Sequence, residues 1–423
     1  METHRFGAWH PWPVIPLSSS EKEIQDEKAV LQVLSNLKQG EKVKVVGAGF
    51  SYFANIPATI TIYNYYNNSE QFELIGDGTV KVSARTPLKN LCSFLFKSGR
   101  KLPAVQHFKN FSVGGTVSVG GIGADSCEFG TMAQNVVSLE IITVDGEKML
   151  CNEILNSNLF NFSLCGLGRL GIIETVVLKT FGLPNVEKSY EMMFNCLQDM
   201  IEFWKQAPQN IDQNFAPSEL FGIADLKNKY FKIRIVYPFL TRQDAENHQM
   251  HFKGNFLLIT KTSSPHLKLP VTNLNSKEYR IFNDFCFSSY NTMIDFYQAI
   301  MLDSRVMDLL SVLVVMPIRK VEPRIPLCHA NLEAAPNQLL YNIGLFFSFC
   351  DTEMHLHIKD IVRMLTKICI ELNGRPYQYG FLELEDKDLF KLYGDNYQEF
   401  ATIKKQMDPK QKLFESPHNR LFS

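Results

Sequence analysis

The sequence predicts an α+β fold in two main parts. Short apolar strands alternate with helices, without the long regular β-α-β repeat of a doubly wound sheet. Closely spaced glycines crowd the first 180 residues and become sparse from Phe181 onward. The chain has 423 residues, more than one compact core usually serves.

Composition narrows the function. Hydrophobic residues make up 45% and charged residues 21%, the balance of a globular protein. A net charge of -1 gives no bulk attraction to nucleic acid. The 32 Phe and 15 Tyr fit a large core and also suit a flat ring ligand. Met1–Pro16 lacks the apolar run of a secretory leader, and Val306–Met316 is apolar but too short for a membrane span. The nine Cys form no close CxxC pair, which points to reduced thiols and a cytoplasmic location. His355 and His357 form an HxH with no converging Cys or acidic pattern, so no metal site is expected.

Residues 17 to 40 read as an N-capped amphipathic helix, from Ser18, Ser19 and Ser20 to the stop at Gly40. Val43–Val46 reads as a strand running into Gly47-Ala48-Gly49-Phe50-Ser51. A strand followed by a tight glycine turn exposes successive backbone N–H groups, which cradle an anion, usually a phosphate. The turn lacks the full G-x-G-x-x-G spacing, which argues against a nicotinamide-binding doubly wound fold. Ile60–Tyr63 and Val80–Ala84 follow as strands, and Leu88–Lys97 as a helix.

Ser112 to Gly123 is the richest stretch. Its paired glycines, Gly114-Gly115 and Gly120-Gly121, are interleaved with small residues, so the backbone can approach a partner closely. A flat polar cofactor is one such partner. Val136–Val144 then reads as a strand, Asp145-Gly146 as a hairpin turn, Lys148–Cys151 as the returning strand and Leu159–Leu164 as a short helix. Gly166-Leu167-Gly168-Arg169-Leu170-Gly171 feeds a strand ending at Leu178.

The second region runs to about residue 372. Tyr230–Tyr237 and Asn255–Thr260 read as strands, Met307–Met316 and Tyr341–Phe349 as apolar segments, and Lys359–Leu372 as a helix. The tail carries a helix around Tyr397–Met407 and breaks at Asp408-Pro409.

Val113-Gly114-Gly115-Thr116, the strand reaching Thr143, Asn156-Ser157-Asn158-Leu159-Phe160 and Gly166-Leu167-Gly168-Arg169-Leu170-Gly171-Ile172-Ile173 together resemble the cytokinin dehydrogenases. Those are FAD enzymes of the vanillyl-alcohol-oxidase superfamily. Their pattern reads roughly VGGTLSNAGI, then T-x-x-G-E, then LGGLGQFGIIT. Val46–Ser51 falls where that family has RGRGHS, and Asp408-Pro409 and Ser416-Pro417-His418-Asn419 resemble its C-terminal segments. Thr3-His4-Arg5-Phe6 and Asn373-Gly374-Arg375-Pro376-Tyr377 look instead like decaprenylphosphoryl-ribose oxidase and the aldonolactone oxidases.

The resemblance implies a divided FAD-binding domain of the PCMH type, residues 1–180 and 373–423, with an inserted α/β substrate domain, 181–372, carrying an antiparallel sheet. It implies that Gly47, Ala48, Gly49, Phe50 and Ser51 hold the pyrophosphate. Ser112, Gly115, Thr116, Ser118, Gly121 and Ile122 would line the phosphates and the flavin ring, with Ile172 near the adenine. Tyr377 or Tyr379, and Asn419, would close the pocket.

Two departures matter. Phe50 stands where many relatives link FAD through His, so the FAD is expected to be non-covalent. His107 stands where cytokinin dehydrogenases have the Asp that takes the substrate proton. An imidazole serves as a base near neutral pH, which makes His107 the catalytic candidate; a plain loop residue or a hydrogen bond to the flavin edge is the alternative. The relatives' active-site Lys falls at Gly380. Three readings stay open: a cytokinin dehydrogenase-like amine oxidation, a sugar or aldonolactone-type alcohol oxidation, and a flavin-binding protein that has lost catalysis. In the first two, the partners are a small-molecule substrate and oxygen or a quinone as electron acceptor.

Overall fold

The computed structural model describes residues 21–23, 27–49, 51, 58, 60–63, 72–76, 78–106, 110–210, 216–265, 279–335, 338–349 and 354–413. Helices and largely antiparallel sheets make an α+β architecture. Among these residues no helix is long and apolar enough to cross a membrane, and no cluster of His, Cys, Asp and Glu could hold a metal.

Among the described residues the first part holds a three-stranded and a five-stranded sheet, and Arg100–Lys101 pairs with Phe181–Gly182. Glu21–Glu23, Ile60–Tyr63 and Val43–Val46 form a parallel three-stranded sheet with Ile60–Tyr63 in the centre. Phe72–Ile75, Thr79–Ser83, Ile172–Lys179, Val136–Ile142 and Lys148–Asn152 form an antiparallel five-stranded sheet in that spatial order. The helix Leu88–Lys97 buries Leu88, Leu91, Cys92 and Leu95. That spacing places one apolar stripe against the core. The expected helix over 17–40 is shorter, spanning Glu27–Ser35. Glu21–Glu23 is extended because its backbone completes the parallel sheet beside Thr61–Tyr63.

The second sheet system has eight strands, each antiparallel to its neighbours. Their order is Phe256–Ser263, Val186–Phe194, Tyr230–Phe239, Glu219–Asp225, Leu310–Arg319, Leu339–Phe349, Tyr279–Phe287 and Arg375–Pro376. The segment 307–316 divides, with a short helix Ser304–Leu309 preceding the strand. Residues on one face, among them Phe285, Phe287, Tyr341, Ile343 and Leu345, join one apolar core with Trp204, Phe296 and Leu365 from the helices Leu197–Asn210, Tyr290–Leu302 and Met354–Glu371. Side chains alternate across a strand, so Asp284, Cys286, Leu340 and Asn342 lie on the opposite face. Cys286 and Leu340 there share a core with Val113, Val117, Ile122 and Cys165 of the first part.

The tail returns to the start of the chain. Val43 donates to the Lys412 carbonyl at 2.8 Å and bridges in parallel to Leu413. The Asp408 carboxylate accepts from the backbone N–H groups of Lys412, at 2.7 Å, and Leu413, at 2.8 Å. This stitching fixes the strand that leads into Gly47.

Phe285 is fully buried, with its ring 4.9 Å from that of Phe296. Phe285→Ala is expected to cost about 3–5 kcal/mol of stability. Urea unfolding measures it, and a loss below about 1 kcal/mol would mean that this core collapses into the gap.

Candidate active site

The glycine segment folds as a short helix, Val113–Val119, with Ser112 as its N-cap accepting from the Gly115 N–H at 3.2 Å. Gly120, at φ 74°, closes it in the left-handed region. Val113 donates to the Thr86 carbonyl at 2.9 Å and Gly114 to the Ala84 carbonyl at 2.8 Å, so the helix is fastened to the end of the strand Thr79–Ser83. The chain comes too close for side chains. A Cβ on Gly47 would stand 2.1 Å from Ser112 Oγ, one on Gly114 2.8 Å from Ala84 Cβ, and one on Gly121 2.1 Å from Gln106 Nε2. Gly115 is exposed between the buried side chains of Ser112 and Thr116. Thr116 Oγ1 and Gln106 Oε1 are buried without a hydrogen-bond partner among the described residues.

A polar cluster lies where this segment meets the eight-stranded sheet. Asp284 accepts from Asn342 Nδ2 at 2.8 Å and from the Tyr379 hydroxyl at 2.5 Å. Burial raises the Asp284 carboxyl above its ordinary range, against the hydrogen bonds from Tyr379 and Asn342 and the nearby His329, which lower it. Tyr379 packs edge-on to Tyr377 at 4.6 Å, and Tyr377 stacks on His329 at 3.9 Å. Gln106 hydrogen-bonds the Tyr377 hydroxyl, which ties the tail to the first part. On the same sheet face as Asp284, the half-buried rings of Phe282 and Phe346 meet edge to face at 4.2 Å. His329 is buried, and its Nε2 has no partner among the described residues.

Asp125 locks the approach to this cluster. Its Oδ1 accepts from the Val105 N–H at 3.1 Å, holding the backbone that presents Gln106. Burial is the main reason its carboxyl is pushed up to about 7; Glu219 adds to this, while Lys101 and the backbone donors oppose it.

Of the residues singled out from sequence, Gly47, Ser112 and Gly115 come together at the helix start, and Gly121, just past the helix end, lies against Thr116. Ala48, Gly49 and Ser51 continue the turn, all half-buried. Ser118 lies on the last turn of the helix and accepts the Leu167 N–H through its carbonyl at 3.0 Å. Ile122 is buried in the core shared with Val113 and Val117. Ile172 is also a core residue, packed with Val30, Val43, Ile62 and Leu413 rather than at a ligand surface. Tyr377 and Tyr379 both reach the polar cluster. Phe50, His107 and Asn419 lie outside the described residues. Sequence reading missed Asp284, Asn342, His329 and Gln106. Only Asp284 carried a visible signal, an acidic residue inside the apolar run Phe282–Phe287.

Residues 22–152 match the family model of an FAD binding domain. The match covers 131 of the 423 residues and shows an FAD binding domain in this part of the chain. The chain is 33% identical over 95 residues to an uncharacterized oxidoreductase of the fasciation locus of Rhodococcoides fascians, covering 22% of each chain. It is 36% identical over 88 residues to cytokinin dehydrogenase 2 of Arabidopsis thaliana, covering 21% of this chain and 18% of that one. An FAD-linked oxidoreductase of Emericella nidulans is 29% identical over 189 residues, covering 43% of this chain and 37% of the relative. These matches span about a fifth to just over a third of the relatives' lengths.

The residues present fit FAD. The turn at Gly47, the exposed Gly115 and the unsatisfied Thr116 and Gln106 oxygens form a narrow, side-chain-free, polar-lined cradle. Backbone N–H groups and the Thr116 hydroxyl can serve a dinucleotide's phosphates and ring carbonyls, and the Gln106 amide oxygen can accept from a ring N–H.

The Asp125 carboxyl keeps its proton in the folded protein up to about 7, whereas an unfolded Asp releases it near 3.8. Its contribution to stability is therefore fully present below about 4 and is lost as pH rises toward 7. Thermal unfolding is expected to show this fall in the wild type and a flatter profile in Asp125→Asn. Equal slopes in the two proteins would exclude the assignment.

Proposed function

We propose that the protein is an FAD-dependent oxidoreductase acting on a small substrate with a planar ring, an amine oxidation of the cytokinin dehydrogenase kind. We further propose a divided FAD-binding domain, 1–180 and 373–423, with 181–372 inserted as the substrate domain, and a cytoplasmic location. The carrying observation is the buried Asp284 carboxyl, held by Tyr379 and Asn342 on the sheet face whose Cys286 and Leu340 share a core with Val113 and Val117 of the glycine segment.

When bound, FAD supplies a two-electron acceptor for a substrate C–H. Gly47, Ala48, Gly49 and Ser51 would hold its pyrophosphate. Ser112, Gly115, Thr116, Ser118, Gly121 and Ile122 would line the phosphates and ring, and Tyr377, Tyr379 and Asn419 would close the pocket. Ile172 supports the adenine end only from within the core. Phe50 offers no linking atom, so the cofactor is held non-covalently.

Asp284 takes the proton from the substrate N–H. Burial raises its proton affinity above that of an ordinary carboxylate, and its two donors fix the direction of the carboxylate. Phe282 and Phe346 offer an aromatic surface for a planar substrate. His107 is the second candidate base. Oxygen or a quinone then takes the electrons. The aldonolactone-type reading is less favoured, because a side chain at Gly380 would stand 2.6 Å from Asn283 Nδ2 and 2.9 Å from the Phe282 carbonyl.

The purified protein is expected to be yellow and to release its FAD into the filtrate on denaturation. Isopentenyladenine, added without oxygen, should bleach the flavin, faster as pH rises through the Asp284 ionisation. Asp284→Asn should keep the flavin and slow bleaching by about 10²–10⁴-fold. A colourless protein that refuses FAD sinks the flavin reading. A yellow protein that neither isopentenyladenine nor aldonolactones bleach favours a flavin-binding protein without catalysis.

A further inference from the structure

Two cysteines from distant parts of the chain meet behind the glycine segment. Cys165 follows the helix Ser157–Ser163 and is fixed by its N–H to the Val117 carbonyl at 3.2 Å. Cys328 lies between the strands Leu310–Arg319 and Leu339–Phe349, with its N–H bonded to the Ile325 carbonyl at 3.0 Å. Both are buried and both are free thiols. Their sulfurs converge on Gly120: a Cβ placed there would be 2.5 Å from Cys165 Sγ and 3.4 Å from Cys328 Sγ. The missing side chain leaves the two sulfurs facing each other.

The thiols are unequal. Cys165 donates a hydrogen bond to the Cys328 sulfur, and His329 Nδ1 lies 3.9 Å from it on another side, as does Thr131 Oγ1 at 3.9 Å. The Cys165 hydrogen bond, with help from His329, holds Cys328 below the usual thiol range, and burial pushes Cys165 above it. Two thiols from distant segments thus converge on Gly120, with His329 beside Cys328 to take up a proton, the arrangement of a reactive and a resolving cysteine.

We propose that Cys165 and Cys328 form a peroxide-oxidisable pair that closes to a disulfide, tying the chain behind the glycine helix to the loop carrying His329. The Cys328 sulfur attacks hydrogen peroxide; the O–O bond breaks, an S–O bond forms, and the departing hydroxide takes the Cys328 proton as water. The Cys165 sulfur then attacks the sulfenic sulfur. The S–S bond forms, the S–O bond breaks, and the second hydroxide leaves as water with the Cys165 proton. The two sulfurs lose two electrons together, and the peroxide receives them. The pairing stands whether or not the protein oxidises an amine.

The test treats the native full chain with hydrogen peroxide, alkylates it after denaturation and maps its peptides by mass. The expected product joins the Cys165 and Cys328 peptides with the loss of two hydrogens, and a thiol reductant reverses it. Cys328→Ser abolishes the joined product. Cys165→Ser leaves Cys328 as a sulfenic acid that dimedone traps. The exposed Cys196 reports that oxidant was sufficient. Oxidised Cys196 without the joined peptide, or a link from Cys328 to its other buried neighbour Cys286, would overturn the proposal. The wild-type peptide map decides the matter even if a variant fails to fold.

Discussion

The structure depends most on how closely the segment 112–121 lies against its neighbours. Ser112 and Gly114 touch the Gly47 turn and Ala84 on one side, and Gly121 touches Gln106 on another. Packed protein interiors give by only tenths of an ångström before they strain. Side chains at these three glycines would therefore push apart the parallel sheet, the five-stranded sheet and the backbone that presents Gln106. The cradle and the polar cluster are consequences of one side-chain-free contact. The unsatisfied Thr116 and Gln106 oxygens sit at the same place. A buried polar group left without a partner costs about 1–3 kcal/mol. On the flavin reading, the cofactor offsets that cost, so the cradle is tuned to the loaded protein rather than to the empty chain.

The tail reinforces this contact from two directions. Lys412 and Leu413 hold the strand entering Gly47, while Arg375–Pro376 pairs with Tyr279–Phe287 and brings Tyr379 onto Asp284. Residues 375–413 thus couple the Gly47 turn to the acidic group on the far sheet. Loop-closure cost grows only slowly with loop length, so a chain can bring such distant segments together at modest entropic expense.

The legible parts of the sequence were those written in local chemistry. The helix Leu88–Lys97 and the strands Val43–Val46 and Ile60–Tyr63 fall where the apolar spacing put them, because each is decided by its own side chains. The FAD-binding assignment was legible because backbone-to-ligand contact demands glycine at fixed positions. Glu21–Glu23 was not, since an acidic segment becomes a strand only when a distant edge accepts it. At Ile172 a motif position says nothing about which way the side chain turns, and here it turns into a core with Val30, Val43, Ile62 and Leu413. Asn342, His329 and Gln106 gave no sequence signal, because what marks them is convergence across three separate segments.

Asp284 and His107 divide the problem of the missing family Asp. A base must be near its proton and must hold it with suitable affinity, and these two conditions come from different sources. At Asp284, affinity comes from burial: the sheet removes water from the carboxyl, and the donors Tyr379 and Asn342 recover part of that loss without cancelling it. Direction comes from the same two donors, since each occupies a different oxygen. An imidazole at 107 has suitable affinity without tuning, so only position limits it. A carboxyl that must be buried to work needs a packed sheet behind it, whereas an imidazole does not. The large aromatic core beneath Phe285 and Phe287 is what keeps the strand bearing Asp284 rigid and dry. On this reading, the abundance of phenylalanine contributes to the chemistry as well as to stability, by holding one acidic side chain out of water where a substrate would meet it.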